Sequence, residues 1–145
     1  MVTDIFALGM QGELVAEAKG RDLGRRINYS EPDGQSRIEI TSEITGTLLG
    51  LEFSALETTL LHPREKGYGH GVGHAVGKTK EGDPFTWDTY GMGRPLGRGQ
   101  ARSARGCSFI QSKSEKLSRL NTMVLIWEAE TDENGQRSSK VWEWK

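Results

Sequence analysis

Glu57 is the residue of this 145-residue chain best placed to do chemistry. Leu49, Leu51, Phe53, Ala55, Glu57, Thr59 and Leu61 fall on one side of an extended segment, because successive strand side chains point to opposite faces. That side is apolar except for the carboxylate near its middle. If it lines an interior, desolvation raises the pKa of Glu57 and makes it a candidate general base or acid. The opposite side carries Leu48, Leu56 and Leu60, so the reverse register stays open.

A second alternating segment offers a partner. Ala101, Ser103, Arg105, Cys107 and Phe109 share a face, which would turn Arg105 and Cys107 inward together. A buried arginine must be paired, and Glu57 is the carboxylate expected to pair with it. Such a pair either holds a ligand carboxylate or staples the structure. Cys107 has no sequence neighbour that would lower its pKa and reads as a small buried thiol. Tyr90 and Asp88 share a face on another segment, on which Phe85 and Trp87 take the alternate positions. The candidate catalytic set is therefore Glu57, Arg105 and Tyr90, with Phe53, His70, His74, Trp87, Cys107 and Trp127 as candidate ligand-lining residues.

Metal and phosphate chemistry fit the pattern poorly. His70 and His74 have the spacing that sets two imidazoles on one helix turn. Their surroundings, Gly67-Tyr-Gly-His-Gly-Val-Gly-His-Ala-Val-Gly77, are too rich in glycine for a helix at roughly 1 kcal/mol per glycine. On a strand the pair stands about 13 Å apart, at roughly 3.3 Å per residue, too far to share one zinc. No metal site is expected. Gly91-Met-Gly-Arg-Pro-Leu-Gly97 is not followed by a strand-to-helix transition, so it fails as a phosphate loop. Arg94, Arg98, Arg102 and Arg105 read as a solvated edge, and Trp142 with Trp144 as wall packing.

The elements that must position these residues are strands. Small and larger residues alternate from Gly67 to Gly77, which leaves one face of that strand nearly bare. A bare face serves sharp coiling, an aromatic lying across the backbone, or bound matter. Turn signals at Glu31-Pro-Asp-Gly34, Lys80-Glu-Gly-Asp-Pro84 and Asp132-Glu-Asn-Gly135 separate alternating segments. Reading outward from them predicts eight strands near 13–29, 36–45, 48–61, 67–78, 84–92, 98–111, 121–131 and 137–144, the first broken around Asp22 to Gly24. Ser112-Lys-Ser-Glu115 has the form of a capping box, and Leu117 and Leu120 then share one side of a short helical turn near 113–120 that closes one end. Eight short-looped antiparallel strands leave two open edges unless they meet, so a closed barrel is expected rather than a sandwich.

Composition bounds the function. The chain is expected to form a single domain over 1–145, with 1–11 a loosely packed N-terminal segment. Apolar residues make up only 34% of it, which suits a sheet with one wet face. A net charge of -1 gives no reason to expect nucleic acid. No apolar run approaches the roughly 18 residues of a membrane helix. The single cysteine cannot form an internal disulfide and points to a reducing, cytoplasmic setting.

The segment from Gly99 to Ile110, the run Ser114-Glu-Lys-Leu-Ser-Arg-Leu-Asn121 and the ending Lys140-Val-Trp-Glu-Trp-Lys145 resemble a family of small uncharacterised prokaryotic proteins. The resemblance is good over about the last 80 residues and loose over the first 60; it implies no assigned chemistry. Where that family is expected to carry acidic or amide residues between the glycines, this chain has His70, Val72 and His74. At fold level, glycine-alternating strands in an eight-stranded barrel also resemble the allene oxide cyclase and dirigent type of barrel. Together these readings lead to a cofactor-free barrel that takes a small, mostly apolar ligand and is suited to a cyclase or isomerase reaction. The competing expectation is a filled barrel acting as a structural or assembly module, and either barrel admits a homo-oligomer.

Overall fold

Period-two alternation runs through nearly the whole chain, and the computed structural model, which describes residues 12–30 and 35–145, converts it into eight strands. They are β1 (Leu14–Ser30), β2 (Gln35–Leu48), β3 (Leu51–Pro63), β4 (Gly69–Thr79), β5 (Pro84–Pro95), β6 (Arg102–Gln111), β7 (Leu125–Thr131) and β8 (Gln136–Glu143). Each pairs antiparallel with the next, and β1 pairs with β8 to close the barrel. The 1–11 segment and the Glu31–Gly34 turn signal lie outside the described residues.

Three boundaries differ from the expectation for physical reasons. β1 is continuous; a bulge between Asp22 and Gly24 takes up the irregularity, adding one residue against β2 and re-aiming the side chains that follow. Leu49 belongs to no strand face, because Leu49 and Gly50 form the tight β2–β3 turn with φ of 51° and 79°. A left-handed leucine costs about 1–2 kcal/mol, and its N–H is held by the Val15 carbonyl at 2.9 Å. β7 starts at Leu125 because the helical segment before it, a 3₁₀ helix over Glu115–Thr122, begins and ends two residues later than the sequence suggested.

Alternate connections of an up-and-down barrel lie at alternate ends. The β2–β3, β4–β5 and β6–β7 connections share one end, which the 3₁₀ segment closes from the β6–β7 connection. Leu117, Leu120 and Leu125 are wholly buried there, packed with Leu48, Phe53 and Phe85. The expected capping box does not form: Ser114 precedes the helix without a side-chain cap. Ser112 Oγ instead accepts the Ser114 N–H at 3.0 Å and donates to the Pro84 carbonyl at 2.6 Å.

Asp83 fastens this plug to the β4–β5 turn. Its carboxylate accepts the Ser114 hydroxyl at 2.6 Å and the Thr79 hydroxyl at 2.8 Å, and these bonds hold its pKa below the ordinary carboxylate value. A lowered folded value means that the stabilisation is complete above the unfolded pKa of about 3.9 and disappears as pH falls through the folded one. Asp83→Asn should therefore flatten the acid limb of a stability-against-pH curve, measured by thermal melting between pH 2 and 7. Leu117→Ala empties the centre of the plug and should cost about 2–5 kcal/mol in denaturant unfolding.

Candidate functional site

Closure gives the barrel an inside, and strand parity decides what enters it. β3 sends Phe53, Ala55, Glu57, Thr59 and Leu61 inward, and β5 sends Phe85, Trp87, Thr89, Gly91 and Gly93. The inward residues of β4 are Gly69, Gly71, Gly73, Ala75 and Gly77, so the bare face of that strand is the interior one. Over much of the wall this bareness, shared by glycines of the neighbouring strands, is used for packing. A Cβ on Gly77 would lie 2.6 Å from the Phe85 ring, and one on Gly91 or Gly106 would lie 2.5–2.6 Å from the Trp127 indole. Gly71 and Gly93 are less crowded: an added Cβ would meet only the Thr59 methyl, at 3.3 Å, at position 71, and would sit in ordinary contact with the Ala104 methyl, at 3.7 Å, at position 93. A cavity of about 190 Å³, lined from all eight strands, remains in the interior. Water requires only about 10–15 Å³ measured in the same way, so the described interior is not filled.

Glu57 is buried on the cavity wall and carries hydrogen bonds on both oxygens. The Trp87 indole N–H donates to Oε2 at 2.7 Å, while Arg137 at 3.2 Å and the Thr59 hydroxyl at 3.4 Å donate to Oε1. Phe53 stands edge-on to Trp87 at 5.8 Å and to Phe85 at 5.6 Å, making an aromatic floor beside the carboxylate. Phe53, Trp87 and Trp127 thus share the cavity with Glu57. Buried charge paired across strands in this way is costly to break singly and braces β3 against β5 and β8.

The expected partner is corrected. Arg105 lies on the outer face of β6 and bonds Glu128 at 3.2 Å, because the inward residues of that strand are Arg102, Ala104, Gly106, Ser108 and Ile110. Trp127 lies against β6 from inside and leaves room only for glycine at 106, which fixes this parity. Cys107 turns outward with Arg105, and only its backbone carbonyl serves the interior, accepting the Trp127 indole N–H at 3.1 Å. Tyr90 is also on the outer face, exposed and set edge-on to Phe109. His70 and His74 alternate with the inward glycines and so point out. His74 meets Asp88 at 2.7 Å, and His70 sits beside His62. None of these five side chains reaches the cavity. Among the described residues, no group of three His, Cys, Asp or Glu is placed to hold a metal ion.

The sequence reading missed the other charged residues of the interior. Asp22, Arg25, Arg102 and Arg137 line the cavity together with Glu57. Asp22 accepts the buried Ser42 hydroxyl at 2.9 Å and pairs with Arg25 at 3.0 Å across the β1 bulge. Burial pushes the Arg102 pKa below its ordinary value, the Arg25 charge adds to this, and Asp22 opposes it. The signal for Arg102 was present in the alternation Arg102, Ala104, Gly106, Ser108 and Ile110; the signal for Arg137 was its alternation with Ser139 and Val141.

Comparisons with known proteins extend the fold and nothing finer. No family model matches the chain, and no curated protein matches it. Among solved structures, a conserved protein of unknown function from Rhodopseudomonas palustris superposes with a TM-score of 0.78 at 10% identity, over 92% of this chain and 97% of its own. A beta-barrel like protein from Acinetobacter baumannii gives 0.78 at 15%, covering 94% and 96%. A protein with unknown function from Clostridium acetobutylicum gives 0.74 at 11%, covering 94% and 99%. At such identities the likeness is one of fold, an eight-stranded barrel shared by uncharacterised bacterial proteins.

A double-mutant cycle tests the corrected pairing. Glu57→Gln and Arg137→Met should couple by about 1–3 kcal/mol in urea unfolding, below the value for a fully buried pair because the Arg137 side chain is 28% exposed. The same cycle with Arg105→Met should be additive within about 0.5 kcal/mol.

Proposed function

We propose that the barrel is a chamber for one small, mostly apolar molecule. The observation that carries this is the cavity of about 190 Å³, walled on one side by glycines of which Gly71 and Gly93 are only lightly contacted, and on its other sides by Phe53, Trp87 and Trp127. Space kept beside aromatic surface, with a few polar groups converging on it, is the ordinary make-up of a ligand pocket. Its mouth lies opposite the plug, at the end of the β3–β4, β5–β6 and β7–β8 connections.

The chemistry that suits the chamber is a cofactor-independent cyclisation or isomerisation, in which a bound molecule is held in one shape and Glu57 moves a proton. Such a reaction asks for few groups beyond confinement and one acid or base. The resemblance to the allene oxide cyclase type of barrel agrees with this reading but does not carry it. Turnover would be lost in Glu57→Gln while binding survives.

A second reading has its own observation. Leu56, Val72, Val76, Tyr90 and Phe109 are exposed on the outer wall of β3 to β6, with Leu56 opposite Val76 and Val72 opposite Tyr90 in register. An apolar row of this kind suits assembly with a second copy of the chain. Light scattering decides it: a dimer that Val76→Glu dissociates supports the outer wall as an interface, and a strict monomer removes it.

The chamber itself is tested by filling it. Gly71→Val projects two methyl groups into the cavity and meets only the Thr59 methyl on the way. It should leave the far-ultraviolet spectrum unchanged and weaken the binding of apolar probes, read by tryptophan fluorescence, by at least tenfold. Unchanged binding would show that the probes sit elsewhere.

A further inference from the structure

The cavity carries more positive charge than its own carboxylates balance. Arg25, Arg102 and Arg137 stand against Asp22 and Glu57, which leaves one guanidinium over. Arg137 is bonded to Glu57 and Arg25 to Asp22. Arg102 has no hydrogen bond or ion pair among the described residues, although it is half-buried in the cavity wall. The two neighbouring cations are each committed, so the surplus is local to Arg102. Its strand neighbour on β7 is Thr131, whose side chain also lines the cavity and whose own neighbour on β8 is Arg137.

A charged group withdrawn from water costs free energy unless an opposite charge meets it. The planar fork of a guanidinium is shaped for the paired oxygens of a carboxylate or phosphate, and partial burial strengthens that contact. Deeper in the chamber the wall is mainly aromatic and apolar, with Phe53, Trp87, Ile110 and Trp127, and the carboxylate there, Glu57, is already held by Trp87 and Arg137. The two regions lie in sequence along the barrel axis, with Arg102 near the mouth and the aromatic floor below it. Their order defines the ligand.

We propose that the chamber takes an amphipathic anion with a carboxylate or phosphate head, its apolar body on the aromatic floor and its oxyanion on Arg102, with Thr131 beside it. This rests on the ligand-chamber reading above and names the chemical class that such a chamber selects.

The probes are octanoate, octanol and octyl phosphate, titrated into the full-length protein by isothermal calorimetry. Octanoate or octyl phosphate should bind at least tenfold more tightly than octanol. Arg102→Met should abolish that preference while leaving octanol binding unchanged; Arg102→Lys, which keeps the charge, should retain part of it. Preference between the two anions tells whether a carboxylate or a phosphate is the natural head. Because Arg102 braces nothing, Arg102→Met should melt no lower than the parent protein, whereas a structural arginine would show a fall. If octanol binds as tightly as both anions, or if Arg102→Met leaves the preference intact, the anion assignment is overturned and the apolar chamber stands. If none of the three binds, both fall.

Discussion

Ring closure through β1 and β8 is the constraint on which the rest of the molecule depends. Once eight strands meet, every second residue of each is committed to a shared interior, and no strand can slip by one residue without exchanging its whole inner and outer set. The interior must then accept whatever those positions carry. This is why small residues crowd β4, β5 and β6, where the Trp127 and Phe85 rings approach the backbone. It is also why a single carboxylate can tie β3 to β5 and β8: closure brings Trp87 and Arg137, which are distant in sequence, to opposite sides of Glu57.

The two ends of the barrel are built to different rules. At one, the 3₁₀ segment inserts Leu117 and Leu120 among Leu48, Phe53 and Phe85, and the packing is complete. At the other, Leu61 and Ile40 are joined by glycine, alanine, threonine and arginine, which together do not fill the width. A stable barrel does not need this second arrangement, because leucine or phenylalanine at the open positions would bury more apolar surface. The stability of the plugged end lets the other end stay incompletely packed.

How much of this was legible in the sequence follows from what a period of two can say. Alternation and turn chemistry located all eight strands, and the two open edges that an unclosed eight-stranded meander would leave implied closure. Alternation cannot say which of two faces is inside when both are plausible. On β3 the alternation left both faces open, and the structure turns Phe53 and Glu57 inward and Leu56 outward. On β6 the choice failed: Ala101, Ser103, Cys107 and Phe109 look as much like an interior as Ala104, Gly106, Ser108 and Ile110, and the deciding fact, the Trp127 ring against Gly106, comes from another strand. Arg105 was carried into the site by that parity error, and Arg102 was left out by the same one. Arg25 was hidden differently, since the β1 bulge shifts the parity of everything after Asp22.

The position of Glu57 joins the structural and chemical sides of the molecule. A carboxylate has about four lone-pair sites, and hydrogen bonds from Trp87, Arg137 and Thr59 occupy three of them among the described residues. These bonds fix its orientation on the cavity wall. They also leave it a place to meet something else. Gly73 lies alongside, where a Cβ would come 3.6 Å from the Glu57 carboxyl carbon and 2.6 Å from the Thr89 methyl. Any side chain there would press on the neighbours that hold the carboxylate in place. The glycine at 73 therefore serves the brace and the space around it at once, and the same residue type that loosens the wall near the mouth keeps the charged cluster intact below it.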